Sequence, residues 1–112
     1  MADLTIQDLD SAGLVVTLAA AEVGGDEFAN TKRELVFVDN ADASPITVTF
    51  AVASGLKVDT IDVPDNAQTV AAGTRKVFGP FDVDTYNDAT GKVQITYSAV
   101  TSVTIGVAQF GI

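Results

Sequence analysis

Lys92-Val93-Gln94-Ile95-Thr96-Tyr97-Ser98 and, shortly after it, Ser102-Val103-Thr104-Ile105-Gly106-Val107-Ala108 decide the fold class. Val93, Ile95 and Tyr97 alternate with Lys92, Gln94, Thr96 and Ser98. Val103, Ile105 and Val107 alternate with Thr104, Gly106 and Ala108. A period of two describes a pleated strand with one apolar face and one small or polar face. The same pattern runs from Ile46 to Ala53, with Ile46, Val48, Phe50 and Val52 inward and Thr47 and Thr49 outward.

Other strands are expected upstream. Leu14–Leu18 alternates. Glu34–Val38 is continuously apolar from Leu35, as in a strand covered on both faces. Val58–Val63 is a weaker stretch, and Thr69–Ala71 and Arg75–Phe78 flank the turn Ala72-Gly73-Thr74. Turn residues recur between them, at the roughly 8–12-residue spacing of sandwiches and small barrels. No segment carries a 3.6-residue apolar repeat, and the long crossovers of parallel sheets are not evident. The expected fold is all-β: a single-domain antiparallel β-sandwich, jelly-roll or Ig-like, over residues 1–112. Residues 1–33 read as an N-terminal arm and loop that contact partners, with Phe28 as a buried anchor in the loop.

The chain holds 15 acidic residues against six basic ones, a formal charge of −9. Twelve of those acids are aspartate, which favours turns and caps. Such a field repels phosphate backbones and anionic membrane surfaces, so neither nucleic acid nor membrane is an expected partner. No apolar run approaches the ~18 residues of a membrane span. Met1-Ala2-Asp3 has no basic, apolar leader pattern, and synthesis in a cytoplasm is expected.

With no histidine and no cysteine, Ser-His-Asp and thiolate chemistry are both out of reach. Asp26-Glu27 and the pair Asp59 and Asp62 are the carboxylates closest to a glycosidase pattern, but neighbours on a strand point to opposite faces. An enzyme is not expected, and neither is a cofactor. Asp82, Asp84 and Asp88 crowd oxygen ligands as calcium prefers, yet the glycine and the closing glutamate of an EF-hand loop are missing. A loop capped by its own side chains is the simpler account. Phe37, Phe50, Phe78 and Phe81 read as core. Leu4, Ile6, Phe28, Lys32, Arg33, Phe110 and Ile112 are the candidate interface residues.

Several stretches, taken in order, resemble small proteins encoded among the head genes of tailed bacteriophages. They are Asn30-Thr31-Lys32-Arg33-Glu34-Leu35-Val36-Phe37-Val38-Asp39-Asn40, Pro45-Ile46-Thr47-Val48-Thr49-Phe50, Val70-Ala71-Ala72-Gly73-Thr74, Phe78-Gly79-Pro80-Phe81, Tyr86-Asn87-Asp88 and Val93-Gln94-Ile95-Thr96-Tyr97-Ser98. The resemblance spans residues 30 to 108. It implies a capsid decoration or cement protein: a β-sandwich on the virion's capsid exterior, partnered by the major capsid protein and stabilising the shell. No catalytic residue belongs to that pattern. A homo-oligomer is expected, a trimer before a monomer, because threonine-rich edges and apolar termini need cover.

Two rival functions follow from the residues. One is a carbohydrate- or host-surface-binding accessory domain of a phage fibre or tail, against which the absence of tryptophan counts. The other is a calcium-dependent adhesive domain.

Overall fold

Alternating apolar residues turn into strands wherever two sheets can share them. The computed structural model describes residues 2–110. Its strands are β1 (Ala2–Asp3), β2 (Ile6–Leu9), β3 (Ala19–Ala20), β4 (Asp26–Ala29), β5 (Glu34–Asn40), β6 (Ile46–Phe50), β7 (Lys57–Val58), β8 (Ile61–Asp62), β9 (Asn66–Val70), β10 (Thr74–Phe78), β11 (Lys92–Tyr97) and β12 (Val103–Phe110). A single helical turn, α1 (Val83–Tyr86), precedes β11. One sheet has the order β1-β4-β11-β6-β9. The other has the order β10-β5-β12-β2, with β3 on the same edge of β12 as β2. β7 and β8 form a separate short ribbon.

The fold is an all-β sandwich, but its sheets are mixed. β1 runs parallel to β4, and β2 runs parallel to β12. The expectation of purely antiparallel sheets assumed that crossovers were missing. They are present as long excursions: residues 4–25 separate β1 from β4, and most of the chain separates β2 from β12.

Residues 1–33 are not an arm in the part described. β1 and β4 belong to the first sheet, β2 and β3 to the second. Leu4 lies where the chain crosses between them, and Leu4 and Ile6 pack against the core. Phe28 sits in β4 rather than a loop and is fully buried. Leu14–Leu18 forms no ladder. Instead the Gln7 side chain substitutes for a neighbouring strand: its Nε2 donates to the Thr17 carbonyl at 2.9 Å and its Oε1 accepts from the Thr17 N–H at 2.8 Å. That segment passes over Gly106, where an added Cβ would lie 2.5 Å from the Thr17 carbonyl oxygen. Only glycine allows so close an approach.

The core alternates along every central strand. Val36 and Val38 of β5, Val48 and Phe50 of β6, Val93 and Ile95 of β11, and Val103, Ile105 and Val107 of β12 are buried between the sheets. The continuous apolar run in β5 is covered fully on one face only. Leu35 and Phe37 point outward and are half-buried, so Phe37 is not a core residue. Phe81 closes one part of the interior. Its ring lies 4.8 Å from Phe50, 5.6 Å from Phe28 and 5.3 Å from Tyr86, while Phe50 also meets Phe78 at 5.0 Å. The chain reaches Phe81 through Gly79, at φ 122°, and a cis Gly79–Pro80 bond. A Cβ on Gly79 would stand 2.8 Å from the Glu34 carbonyl oxygen.

Three buried polar residues tie strand ends to loops. Asn30 Nδ2 donates to the Phe81 carbonyl at 3.1 Å and to Asn87 Oδ1 at 2.7 Å. The Glu34 carboxylate accepts from the Thr31 N–H, the Thr31 hydroxyl and the Arg33 N–H. It thereby holds a turn in which Lys32 has φ 71°. Asn40 Nδ2 donates to the Ser44 and Val70 carbonyls at 2.9 and 3.2 Å.

Phe81→Ala should lower unfolding stability by about 3–5 kcal/mol, the usual cost of truncating a buried aromatic side chain. Gly79→Ala should cost on the order of 1–3 kcal/mol through backbone strain alone. Urea unfolding followed by circular dichroism measures both.

Candidate functional site

The loop from Asp82 to Lys92 is the densest oxygen cluster in the sequence. The fold spends the Asp82 and Asp88 oxygens internally. Asp88 Oδ1 accepts from the Thr90 N–H at 2.8 Å, the Thr90 hydroxyl at 2.7 Å and the Lys92 N–H at 3.1 Å. Its Oδ2 accepts from Gln94 Nε2 at 2.7 Å. These bonds, led by the Thr90 hydroxyl, hold the Asp88 carboxyl well below the usual carboxylate range. Asp82 accepts from the Thr85 hydroxyl at 2.9 Å and lies 3.6 Å from Lys32 Nζ. Asp84 stands in the first turn of α1. Among the described residues, no group of three or more Asp, Glu, His or Cys side chains is placed to hold a metal ion.

A second polar group covers the outward face of the first sheet. Lys92 Nζ lies 3.0 Å from Glu27 Oε2 and 3.1 Å from Asp3 Oδ2, and Gln94 Nε2 donates to Glu27 Oε1 at 2.9 Å. The Gln94 bond, then Lys92, lowers the Glu27 carboxyl, while Glu27, then Asp3, raises the Lys92 ammonium. Because β11 pairs with β4 in the register Gln94↔Glu27, these contacts fasten adjacent strands. They build no cleft.

The outward face of the second sheet is different in kind. Alternation from inward Val103, Ile105 and Val107 turns Gly106, Ala108 and Phe110 to the other face, where Gly106 and Ala108 are buried, Gly106 beneath the Thr17–Leu18 segment, and Phe110 is exposed. Leu9 of β2 lies opposite Phe110, Leu35 opposite Ala108, and Phe37 opposite both Gly106 and Val77. Apolar side chains thus continue across four strands. Leu9, Phe110 and Val77 are 41%, 40% and 49% exposed. The Phe110 N–H donates to the Arg33 carbonyl at 3.2 Å, so Arg33 borders this face. The β7–β8 ribbon offers a smaller apolar tip, with Val58 and Ile61 paired and largely exposed.

Of the residues read from sequence as interface candidates, Phe110 and Arg33 come together at one corner of this face. Lys32 instead meets Asp82 of its own chain. Leu4, Ile6 and Phe28 serve the interior, and Ile112 lies outside the described residues. Leu9, Val77, Val58 and Ile61 escaped the sequence reading. The available signal for the last two was an apolar pair flanking the turn Asp59-Thr60. Leu9 and Val77 gave no signal, because which face of a strand stays uncovered depends on its neighbours.

No helix of the structure is long and apolar enough to cross a membrane. Comparison with protein-family models, curated proteins and solved structures finds no match.

The lowered Asp88 carboxyl predicts a pH effect of definite sign. Its charged form stabilises the fold fully above the unfolded aspartate value of about 3.9. That contribution is lost as pH falls below that value toward the lower folded one. Asp88→Asn should therefore be less stable than the parent at pH 7, with the gap narrowing toward pH 2. Urea unfolding across that range checks it.

Proposed function

We propose that this chain is a non-enzymatic structural protein of a virus particle, a decoration or cement protein on the exterior of a tailed-phage head. The observation that carries this reading is the apolar outer face of the second sheet, made by Leu9, Leu35, Phe37, Val77 and Phe110. Partly exposed apolar side chains on neighbouring strands of a net-acidic protein favour contact with another protein. The resemblance of residues 30 to 108 supplies the partner, the major capsid protein.

The physics of the role is simple. A protein that binds only the assembled shell shifts assembly toward the shell by mass action. Copies that bridge capsomers add multivalency, so modest contacts hold. A stable contact buries about 800 Å² on each partner. The net charge of −9 suits the capsid exterior and opposes contact with packaged DNA. A trimer agrees with the need to cover the outer edge of β10, although Arg75 and Lys76 partly guard that edge. The protein is made in the host cytoplasm and ends on the virion.

A carbohydrate- or host-surface-binding accessory domain is the alternative. Against it, Tyr86 packs edge-on to Phe81 and the Tyr97 hydroxyl is committed to Asp26, so neither ring is free as a sugar platform.

Binding to expanded capsids that lack the protein tests the proposal. The expected result is co-sedimentation and a higher heat tolerance of the loaded shells. Phe110→Glu and Val77→Glu, at half-exposed positions, should each weaken binding roughly tenfold, about 1.4 kcal/mol, without loss of fold. No binding, with equal heat tolerance of loaded and bare shells, removes the proposal.

A further inference from the structure

A cavity of about 450 Å³, open to solvent on one side, lies where β1 and β2 cross between the sheets. Both sheets line it: Ala2 and Asp3 belong to the first, and Gln7, Ala19 and Ile105 to the second. Three carboxylates, Asp3, Glu22 and Asp26, border the cavity, and no lysine or arginine does. Lys92 partly neutralises Asp3 from outside.

Asp26 is the unusual member. Its residue is 0% exposed. Its Oδ2 accepts from the Tyr97 hydroxyl at 2.6 Å and from the Glu22 N–H at 3.3 Å. Burial, then the Asp26 bond, pushes the Tyr97 hydroxyl far above its ordinary value, so Tyr97 remains a donor throughout the working pH range. Asp26 Oδ1 has no hydrogen-bond partner among the described residues. The other buried polar side chains, Asn30, Glu34 and Asn40, are tied to loops. Native interiors rarely leave a buried acceptor unpaired, and a carboxylate least of all.

We propose that this cavity binds an alkylammonium group. An N–H of the ammonium donates to Asp26 Oδ1, and Glu22 and Asp3 add Coulombic attraction at the rim. The alkyl stem lies along Leu4, Ala19 and Ile105. The lining favours an N–H cation over a bare metal ion, because the three carboxylates do not converge as a ligand set. Two sources fit this chemistry: a lysine side chain of the shell, which rests on the decoration reading above, or a free primary amine.

Titrating the full chain with n-butylammonium, followed by amide chemical shifts, tests the site. Saturable one-to-one binding is expected, with shifts confined to Leu4, Thr5 and the 19–22 segment. Butanol and butyrate should bind at least tenfold more weakly. Asp26→Asn should lose at least tenfold in affinity. Ala19→Leu, at an exposed position, fills the cavity without burying a new polar group. It should lose affinity equally while keeping its melting temperature. The proposal is overturned by absent saturation, by equal binding of the three probes, or by undiminished affinity in Ala19→Leu. A fixed water on Asp26 Oδ1 that butylammonium does not displace overturns it too. These titrations need no capsid, so their outcome is independent of the decoration reading. If that reading holds, competition by butylammonium against capsid binding assigns the cation to a shell lysine. Binding without competition assigns it to a free amine.

Discussion

The meeting of Phe28, Phe50, Phe78 and Phe81 is the contact on which the two sheets depend. Phe28 and Phe50 come from β4 and β6 of one sheet, Phe78 comes from β10 of the other, and Phe81 comes from the connection that follows. Tilted and edge-to-face aromatic pairs contribute about 0.5–1.5 kcal/mol each beyond the area they bury. Gly79 brings the chain against the β5 backbone closely enough for Phe81 to reach the centre. The glycine's missing side chain and the aromatic packing are therefore one device.

The polar interior separates into two kinds. Asn30, Glu34 and Asn40 stand at or beside strand ends, and each uses its side chain to satisfy backbone groups that a turn leaves without ladder partners. These residues set loop geometry, and their burial is compensated by hydrogen bonds. Asp26 is also buried, yet one of its oxygens is left over, and the residue lines a cavity. Identical burial thus has opposite meanings, and the count of hydrogen bonds tells them apart.

Charge and apolar surface divide the outside of the molecule. Lys32, Lys57, Arg75 and Lys92 all sit within ion-pair distance of aspartate or glutamate. Exposed pairs of this type add little stability, and they leave the net negative field in place. That field discourages copies from approaching one another at low salt. On the proposed function, a lasting contact would come from the apolar outer side chains of the second sheet or from a cation received by the acidic cavity. The two are complementary, since electrostatics governs orientation and encounter while buried apolar contact governs residence.

Period-two alternation in β6, β11 and β12 determined by itself that the protein is built of half-buried β-strands, because side-chain direction along a strand is a local property, whereas the one-sided burial of the continuously apolar β5 became visible only in the fold. Asp-rich turns were legible for the same reason: Asp88 caps its own loop through residues two and four positions away. Strand partnership was not local. β11 and β12 are adjacent in sequence yet lie in different sheets, and β2 finds its parallel partner at the far end of the chain. The alternating Leu14–Leu18 segment acquires no ladder because the Gln7 side chain occupies the neighbouring position. Tertiary structure alone also decided that the buried anchor Phe28 lies in a strand rather than a loop, that Leu9 and Val77 are surface, and that Asp26 is buried beside a cavity. Burial and unmet hydrogen bonds depend on which distant strands cover a residue, and no local pattern records that.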